Sequence, residues 1–192
     1  MKTKNVIALG ALFLVPTLAH AHPLPGDPQG LHEGFIHPFT GLDHLLAMVA
    51  VGLWAAQQSN RARWLIPMSF VSVMALGGWL GMKGIAFSGV ETGIALSLLV
   101  LGGFIAMKAR FTTAGSIAVV GFFALFHGYA HGHEMPASVG AAAFSSGFIA
   151  ATILLHLVGM ALGSWLQLNS RQPLLRLSGA VIALCSVFFL VG

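Results

Sequence analysis

The sequence predicts an all-α fold, a polytopic membrane bundle of six transmembrane helices that follows a cleavable signal peptide. Of the 192 residues, 57% are apolar and 7% are charged, whereas a soluble chain carries about 25% charged residues. The mean hydropathy of +0.88 agrees with this class. The formal net charge is +4, but the basic residues are scattered between apolar runs. This pattern excludes a nucleic-acid-binding surface.

Residues 1–21 are typical of a secretory signal peptide. Two lysines precede a short apolar core, and Ala19-His20-Ala21 supplies the small residues of a cleavage site. An uncleaved first span is the alternative, although the apolar run is short for a hydrocarbon core of about 30 Å. The mature chain would begin at His22, and residues 22–40 are expected to form a periplasmic segment. The stretch up to Gly30 is rich in Pro and Gly, so we expect it to be extended, without a regular element.

Six apolar runs follow in residues 41–192, each of a length that could cross a bilayer with some tilt. They lie near Gly41–Gln57, Trp64–Gly81, Val90–Met107, Thr112–Tyr129, Ala141–Leu162 and Leu174–Val191. Glycine pairs at four-residue spacing predict that the helices pack closely. The pairs are Gly77 with Gly81, Gly128 with Gly132, and Gly159 with Gly163.

The orientation of the spans is predicted from the basic residues. Three alternate connections carry Arg61 and Arg63, Lys108 and Arg110, and Arg171 and Arg176. Only Lys83 lies in an opposite connection. Because cytoplasmic loops carry an excess of Lys and Arg, both termini of the mature chain are expected to be periplasmic.

One candidate metal-binding motif lies at the outer end of the fourth run, in His127, His131 and Glu134. Because a helix turns by about 100° per residue, their spacing places all three on one narrow arc. Imidazoles suit Ni, Co, Zn and Cu, and a carboxylate offsets the charge of a divalent cation. His133 points off this arc. The alternative is that these are interfacial polar residues near water.

A second motif, His37, Asp43 and His44, lies at the outer end of the first run. A charged side chain inside a bilayer costs about 2.5–3.5 kcal/mol, so Asp43 is a candidate functional residue. Alternatively, Thr40-Gly-Leu-Asp43 has the spacing of a capping box, in which Asp43 only satisfies backbone N–H groups. His37 shares a face with His44 if the helix begins near Pro38; otherwise it reaches the site from the preceding loop.

Two further residues complete the expected site, which we interpret as one divalent-metal site at the periplasmic end of the bundle. Glu91 is placed there by the predicted topology, although it could simply favour the positive end of its own helix. His156 lies in the middle of the fifth run. It is either a buried histidine with a neighbouring partner or a relay deeper in the pathway.

The motifs closely resemble those of the HupE/UreJ family of bacterial nickel and cobalt transporters, over essentially the whole chain. The resemblance is carried by His37-Pro38-x-x-Gly41-x-Asp43-His44 with the following run Leu46–Ala55, by Glu91, and by Phe126-His127-Gly128-x-Ala130-His131-Gly132-x-Glu134. It implies an inner-membrane permease that delivers nickel, in some members cobalt, for hydrogenase or urease maturation. It also implies no organic cofactor, and partners among the metallochaperones of hydrogenase or urease assembly. The residues carried over are His37, Asp43, His44, Glu91, His127, His131 and Glu134, with His156 in a similar setting.

Two other functions use the same ligands. In an intramembrane metalloenzyme, zinc or iron would activate water for hydrolysis, but no clear candidate for the other catalytic roles is visible, so we do not expect an enzyme. A metal sensor or accessory protein would bind metal without flux. The chain carries no Gly-x-x-x-x-Gly-Lys-Ser/Thr loop, which excludes an ATPase of that kind. Uptake is therefore expected to be facilitated diffusion or to be coupled to an ion gradient.

Overall fold

The computed structural model describes residues 27–191, and over this range the chain forms seven α-helices and no strand. The helices are α1 Pro28–Thr40, α2 Leu42–Ala56, α3 Asn60–Met82, α4 Val90–Met107, α5 Thr113–His133, α6 Ala141–Leu168 and α7 Gln172–Val191. The expected signal peptide lies outside the described residues. The prediction of an all-helical, polytopic membrane protein is confirmed.

Five helices, α3 to α7, are long and apolar enough to cross a membrane. Helix α2 has 15 residues, and at 1.5 Å per residue it is about 22 Å long, short of the roughly 30 Å of hydrocarbon. Helices α1 and α2 meet at an angle of 85° and pass the same test only as a pair. By length and composition, the run from Gly41 to Gln57 does not qualify as a span alone, and the bundle has six candidate spans if the bent pair counts as one.

Helix α1 corrects part of the expectation of an extended segment up to Gly30, because the chain is helical from Pro28 onward. Residues 22–26 of that segment lie outside the described residues. Asp27 is the N-cap: its Oδ1 accepts a hydrogen bond from the backbone N–H of Gly30 at 2.9 Å. Its Oδ2 accepts another from Gly140, the N-cap of α6. Both backbone hydrogen bonds stabilise the carboxylate and hold the pKa of Asp27 below its ordinary value. An aspartate followed by Pro28 at the first helical position is a helix start, which the sequence analysis took for loop composition.

Glycines bring the helices that carry the site into backbone contact. A Cβ on Gly34 of α1 or on Gly147 of α6 would overlap a carbonyl group of the opposite helix. The same holds for Gly128 and Gly132 of α5, which lie against carbonyl groups of α3. The close packing expected from the pair Gly128 and Gly132 is confirmed. These contacts fix α1 on α6 and α5 on α3, and so fix the imidazoles that α1 and α5 carry.

Helix α2 lies at the centre of the bundle, where residues 50–58 are all buried. Its C-terminal end is covered by polar side chains that satisfy helix carbonyls. Arg63 donates to the carbonyl of Ala56 at 3.0 Å, and Arg176 donates to Ala106, near the end of α4, at 2.7 Å. These arginines gather where α2 and α4 end, because cations favour the negative end of a helix. The histidine-rich motifs lie at the opposite end of the bundle.

Candidate metal centre

Imidazoles from three helices meet where α1 bends into α2. Gly41 is extended between the two helices, so His37 on α1 is turned toward His131 on α5, with ring centroids 4.8 Å apart. The ring of His131 also lies 4.3 Å from that of His44 on α2. His44 in turn lies 5.1 Å from His127. The imidazoles thus form a continuous series from the outer end of the bundle inward.

His37, His131 and Glu134 form the outermost group. One ligand atom from each lies within 4.8 Å of the others, and His37 Nε2 lies 3.3 Å from Glu134 Oε2. A cation that holds its ligands at about 2.1 Å needs them within about 4.2 Å of one another. Small side-chain rotations therefore suffice to bring two imidazoles and one carboxylate onto a single divalent ion, which suits Ni, Co or Zn.

The Asp43 carboxylate holds His44 in a defined orientation. Asp43 Oδ1 lies 2.9 Å from His44 Nδ1 and also accepts from the His44 backbone N–H at 2.8 Å. A carboxylate only accepts hydrogen bonds, so Nδ1 carries the hydrogen and Nε2 carries the lone pair. This Nε2 is buried without a hydrogen-bond partner. Carboxylate, imidazole and a free nitrogen in this order are the usual surroundings of a metal-binding histidine.

The capping box from Thr40 to Asp43 is not formed, although Asp43 does accept the backbone N–H of His44 in the first turn of α2. The N-cap of α2 is Gly41 and makes no side-chain cap bond. Thr40, which would begin the capping box, donates its hydroxyl to the carbonyl of His37 at 2.7 Å. Helix α2 therefore begins beyond Pro38, and His37 reaches the site from a helix of its own. The sequence analysis had considered a loop in that place.

His127 is oriented by Ser97, a residue that the sequence analysis missed. Ser97 donates its hydroxyl hydrogen to the carbonyl of Ile94 at 2.6 Å, so its oxygen accepts from His127 Nε2 at 3.0 Å. The lone pair of His127 is then on Nδ1, which is buried and unpartnered. A serine within an apolar helix commonly bonds its own backbone. The sequence therefore carries no signal for this second role.

His156 lies deeper in the bundle. The ring of Phe70 lies between His127 and His156. Its centroid is 5.7 Å from that of the His127 ring and 5.1 Å from that of the His156 ring. Exposure falls along the series, with side-chain values of 49% for Glu134 and 24% for His37, whereas His131, His127 and His156 are all buried. Both nitrogens of His131 and of His156 lack hydrogen-bond partners. Buried polar groups in folded proteins are almost always paired, so these ring nitrogens are candidates for binding a ligand.

Glu91 and His133 are not brought into this group. Glu91 is exposed in the first turn of α4, and within residues 27–191 it has no hydrogen bond or ion pair. Its place at the site stays a prediction. His133 is exposed and stacks on Tyr129, with ring centroids 5.8 Å apart, on the other side of α5 from the cluster.

The fold and the site define a polytopic helical membrane protein with a cluster of imidazoles and carboxylates at one end of its bundle. The model of the family described as HupE / UreJ protein matches residues 10–189. The chain belongs to this family. A curated relative, "Protein HupE" of Rhizobium leguminosarum bv. viciae, is 43% identical over 192 residues, which is the full length of both chains. No solved structure matches the chain.

Proposed function

We propose that the chain is an inner-membrane permease that imports a divalent transition metal, nickel first and cobalt second, for hydrogenase or urease maturation. The HupE/UreJ family is associated with this transport. The observation that carries the proposal is the set of unpartnered imidazole nitrogens on His44, His127 and His131. Each buried polar atom without a partner costs about 1–3 kcal/mol. Several unpartnered nitrogens in one cluster would destabilise the fold without any return unless they bind a ligand. In this proposal, the transported cation is that ligand.

In this proposal the outer group receives the ion. Glu134 is half-exposed and His37 partly exposed, so both reach metal that is still hydrated. The carboxylate offsets part of the charge as water is removed. His131 belongs to the outer group and also touches His44. It therefore passes the ion from the outer group to the buried pair of His44 and His127.

Asp43 has a supporting role in this account. Its Oδ1 is engaged with His44, so it fixes the tautomer and ring orientation of that ligand and raises its basicity. Ser97 does the same for His127 through its hydroxyl oxygen. Neutral imidazole is the form that binds metal, and both partners leave one nitrogen of each ring free.

The basic connections support a cytoplasmic location for the arginine-rich end, with the imidazole cluster and both mature termini periplasmic. Metal would then enter from the periplasm and leave toward the cytoplasm. Release there would serve the metallochaperones of hydrogenase or urease assembly.

The direct test is accumulation of radioactive nickel by proteoliposomes that contain only the purified protein. We expect uptake above that of empty liposomes, and loss of uptake in His127→Ala, which removes the ligand at the end of the buried pair. His133→Ala is the matched control on the same helix and should retain uptake. An intramembrane metalloenzyme or a sensor would bind nickel without accumulating it, and that result would reject the proposal. Competition by cobalt in the same assay separates the two candidate metals.

A further inference from the structure

Thr152, in the middle of α6, points its single hydroxyl hydrogen at two sulfur atoms. Its hydroxyl lies 3.3 Å from Met48 Sδ and 3.7 Å from Met74 Sδ. The serines of the described helices that donate hydrogen bonds do so to a carbonyl three or four residues earlier, as Ser97, Ser164 and Ser186 do. Thr152 is fully buried, as are both methionines. One hydroxyl and two thioethers from three helices therefore converge in the core of the bundle.

This cluster lies next to the imidazole series. Met74 and His131 line one small cavity of about 60 Å³ between α3, α5 and α6. Met48 follows His44 on α2 by four residues, so the two lie one turn apart on the same face. The cluster thus adjoins the imidazoles from two sides, and it lies on the inner side of His44.

The cluster also adjoins His156. On α6, Thr152 and His156 are four residues apart, and on α3, Phe70 and Met74 are four residues apart. Helices α3 and α6 are antiparallel, so the two pairs lie side by side: Phe70 contacts His156, and Met74 contacts Thr152. His156 is buried, with neither ring nitrogen partnered. It therefore supplies a free imidazole one turn beyond the thioethers.

We propose that Met48, Met74 and Thr152 form a second metal station, and that the ion moves from the imidazole series through this station to His156. The inference rests on the proposed transport function and defines the inward half of the path. The ligands are two thioethers, one hydroxyl oxygen and then one imidazole nitrogen. Thioethers are soft ligands and discriminate against Mg²⁺, Ca²⁺ and Mn²⁺, which prefer oxygen. The station acts as a selectivity filter below a more permissive entry group.

Replacing both sulfurs tests the station. Leucine conserves the volume of methionine in a core, so Met48→Leu/Met74→Leu should fold and reach the membrane. We expect the affinity of the outer group for nickel to be unchanged, because His37, His131 and Glu134 are intact, while nickel uptake by proteoliposomes falls about tenfold or more. Met107→Leu, at an exposed methionine of α4, is the control and should transport normally. If the double variant does not reach the membrane, each single variant is tested in the same way.

Replacing the imidazole supplies a readout that a structural role would not give. Because both nitrogens of His156 are unpartnered, an apolar side chain of similar size should be tolerated or stabilising. We expect His156→Leu to keep or raise the midpoint of thermal unfolding and yet to lose nickel flux. Thr152→Val should also reduce flux, whereas Ser186→Ala, at a buried hydroxyl of α7, should not.

The outcomes separate this inference from the proposed function. If wild-type proteoliposomes accumulate no nickel, the transport function fails, and the inference fails with it. If the wild type transports nickel and the thioether and His156→Leu variants transport it equally well, only the second station is wrong. Flux that is lost in these variants while the outer group keeps its nickel affinity and thermal stability persists supports the station.

Discussion

His131 is the position where a single substitution tests the account most severely. Its ring contacts His37 of the outer group and His44 of the buried pair. It also packs against the ring of Phe148, with the two centroids 4.0 Å apart. His131→Leu keeps an apolar side chain of similar size against Phe148 and removes two buried nitrogens without partners. Relief of unsatisfied polar atoms contributes about 1–3 kcal/mol, so the variant should be at least as stable as the wild type.

The same substitution removes a ligand. Loss of a group that merely orients a metal ligand costs about 10–100-fold in affinity, so loss of His131 itself should cost about 100-fold or more, roughly 2.7 kcal/mol. Nickel titration of the purified protein measures the affinity, and proteoliposome uptake measures the flux. His133→Leu, two residues further along α5 and outside the cluster, is the matched control. Wild-type affinity and uptake in His131→Leu would refute the assignment of the site.

Four further outcomes are expected. Asp43→Asn should weaken nickel binding about 10–100-fold without loss of membrane abundance; unchanged transport would show that the carboxylate does not support His44. Uptake should decrease as the pH falls, because protons compete with metal for the imidazoles; metal affinity that does not change with pH down to the point at which the protein unfolds would contradict histidine ligation. Asp27→Ala should speed hydrogen exchange in α1 and weaken nickel binding through His37. Folding lowers the pKa of Asp27. The stabilisation that the Asp27 carboxylate gives the fold is therefore complete above its ordinary pKa of 3.8, and it is lost as the pH falls through the lowered pKa. Gly128→Ala should reduce the amount of folded protein in the membrane, since its Cβ would overlap the backbone of α3; a normal yield would show that the two helices can separate there.

The fold class could be predicted from the sequence because long apolar runs have few alternatives in a bilayer. The starts of the six runs were predicted to within a few residues, and Val90–Met107 matches α4. Helix α1 could not be predicted from apolar length, because it is short and carries polar residues. It is held by an N-cap at Asp27 and by backbone contact with α6. The second of these is a tertiary contact that no local pattern reveals.

The membership of the site was only partly readable from spacing. The spacing of His127, His131 and Glu134 predicted one helical face, but it did not show that these side chains lie at two depths. His131 and Glu134 belong to the outer group, whereas His127 lies beside His44 and Ser97. The bend at Gly41 decides the roles of the two carboxylates: Asp43 bonds the imidazole of His44, whereas Glu134 is half-exposed to solvent.

The role proposed for Met48 and Met74 could not be predicted from the sequence at all. A methionine in an apolar helix usually fills a gap in the core, and nothing around either residue distinguishes it. Their common partner Thr152 lies 104 residues from Met48 and 78 residues from Met74 along the chain. Only the packing of α2, α3 and α6 brings the three side chains together.

The central claim is that His37, His131 and Glu134, from α1 and the end of α5, bind one divalent ion. Anomalous diffraction from nickel-soaked crystals tests it most directly. The account predicts a nickel peak within bonding distance of both imidazoles and the carboxylate, and loss of that peak in His131→Leu. A fully occupied nickel peak elsewhere in the bundle, with this group empty, would contradict it.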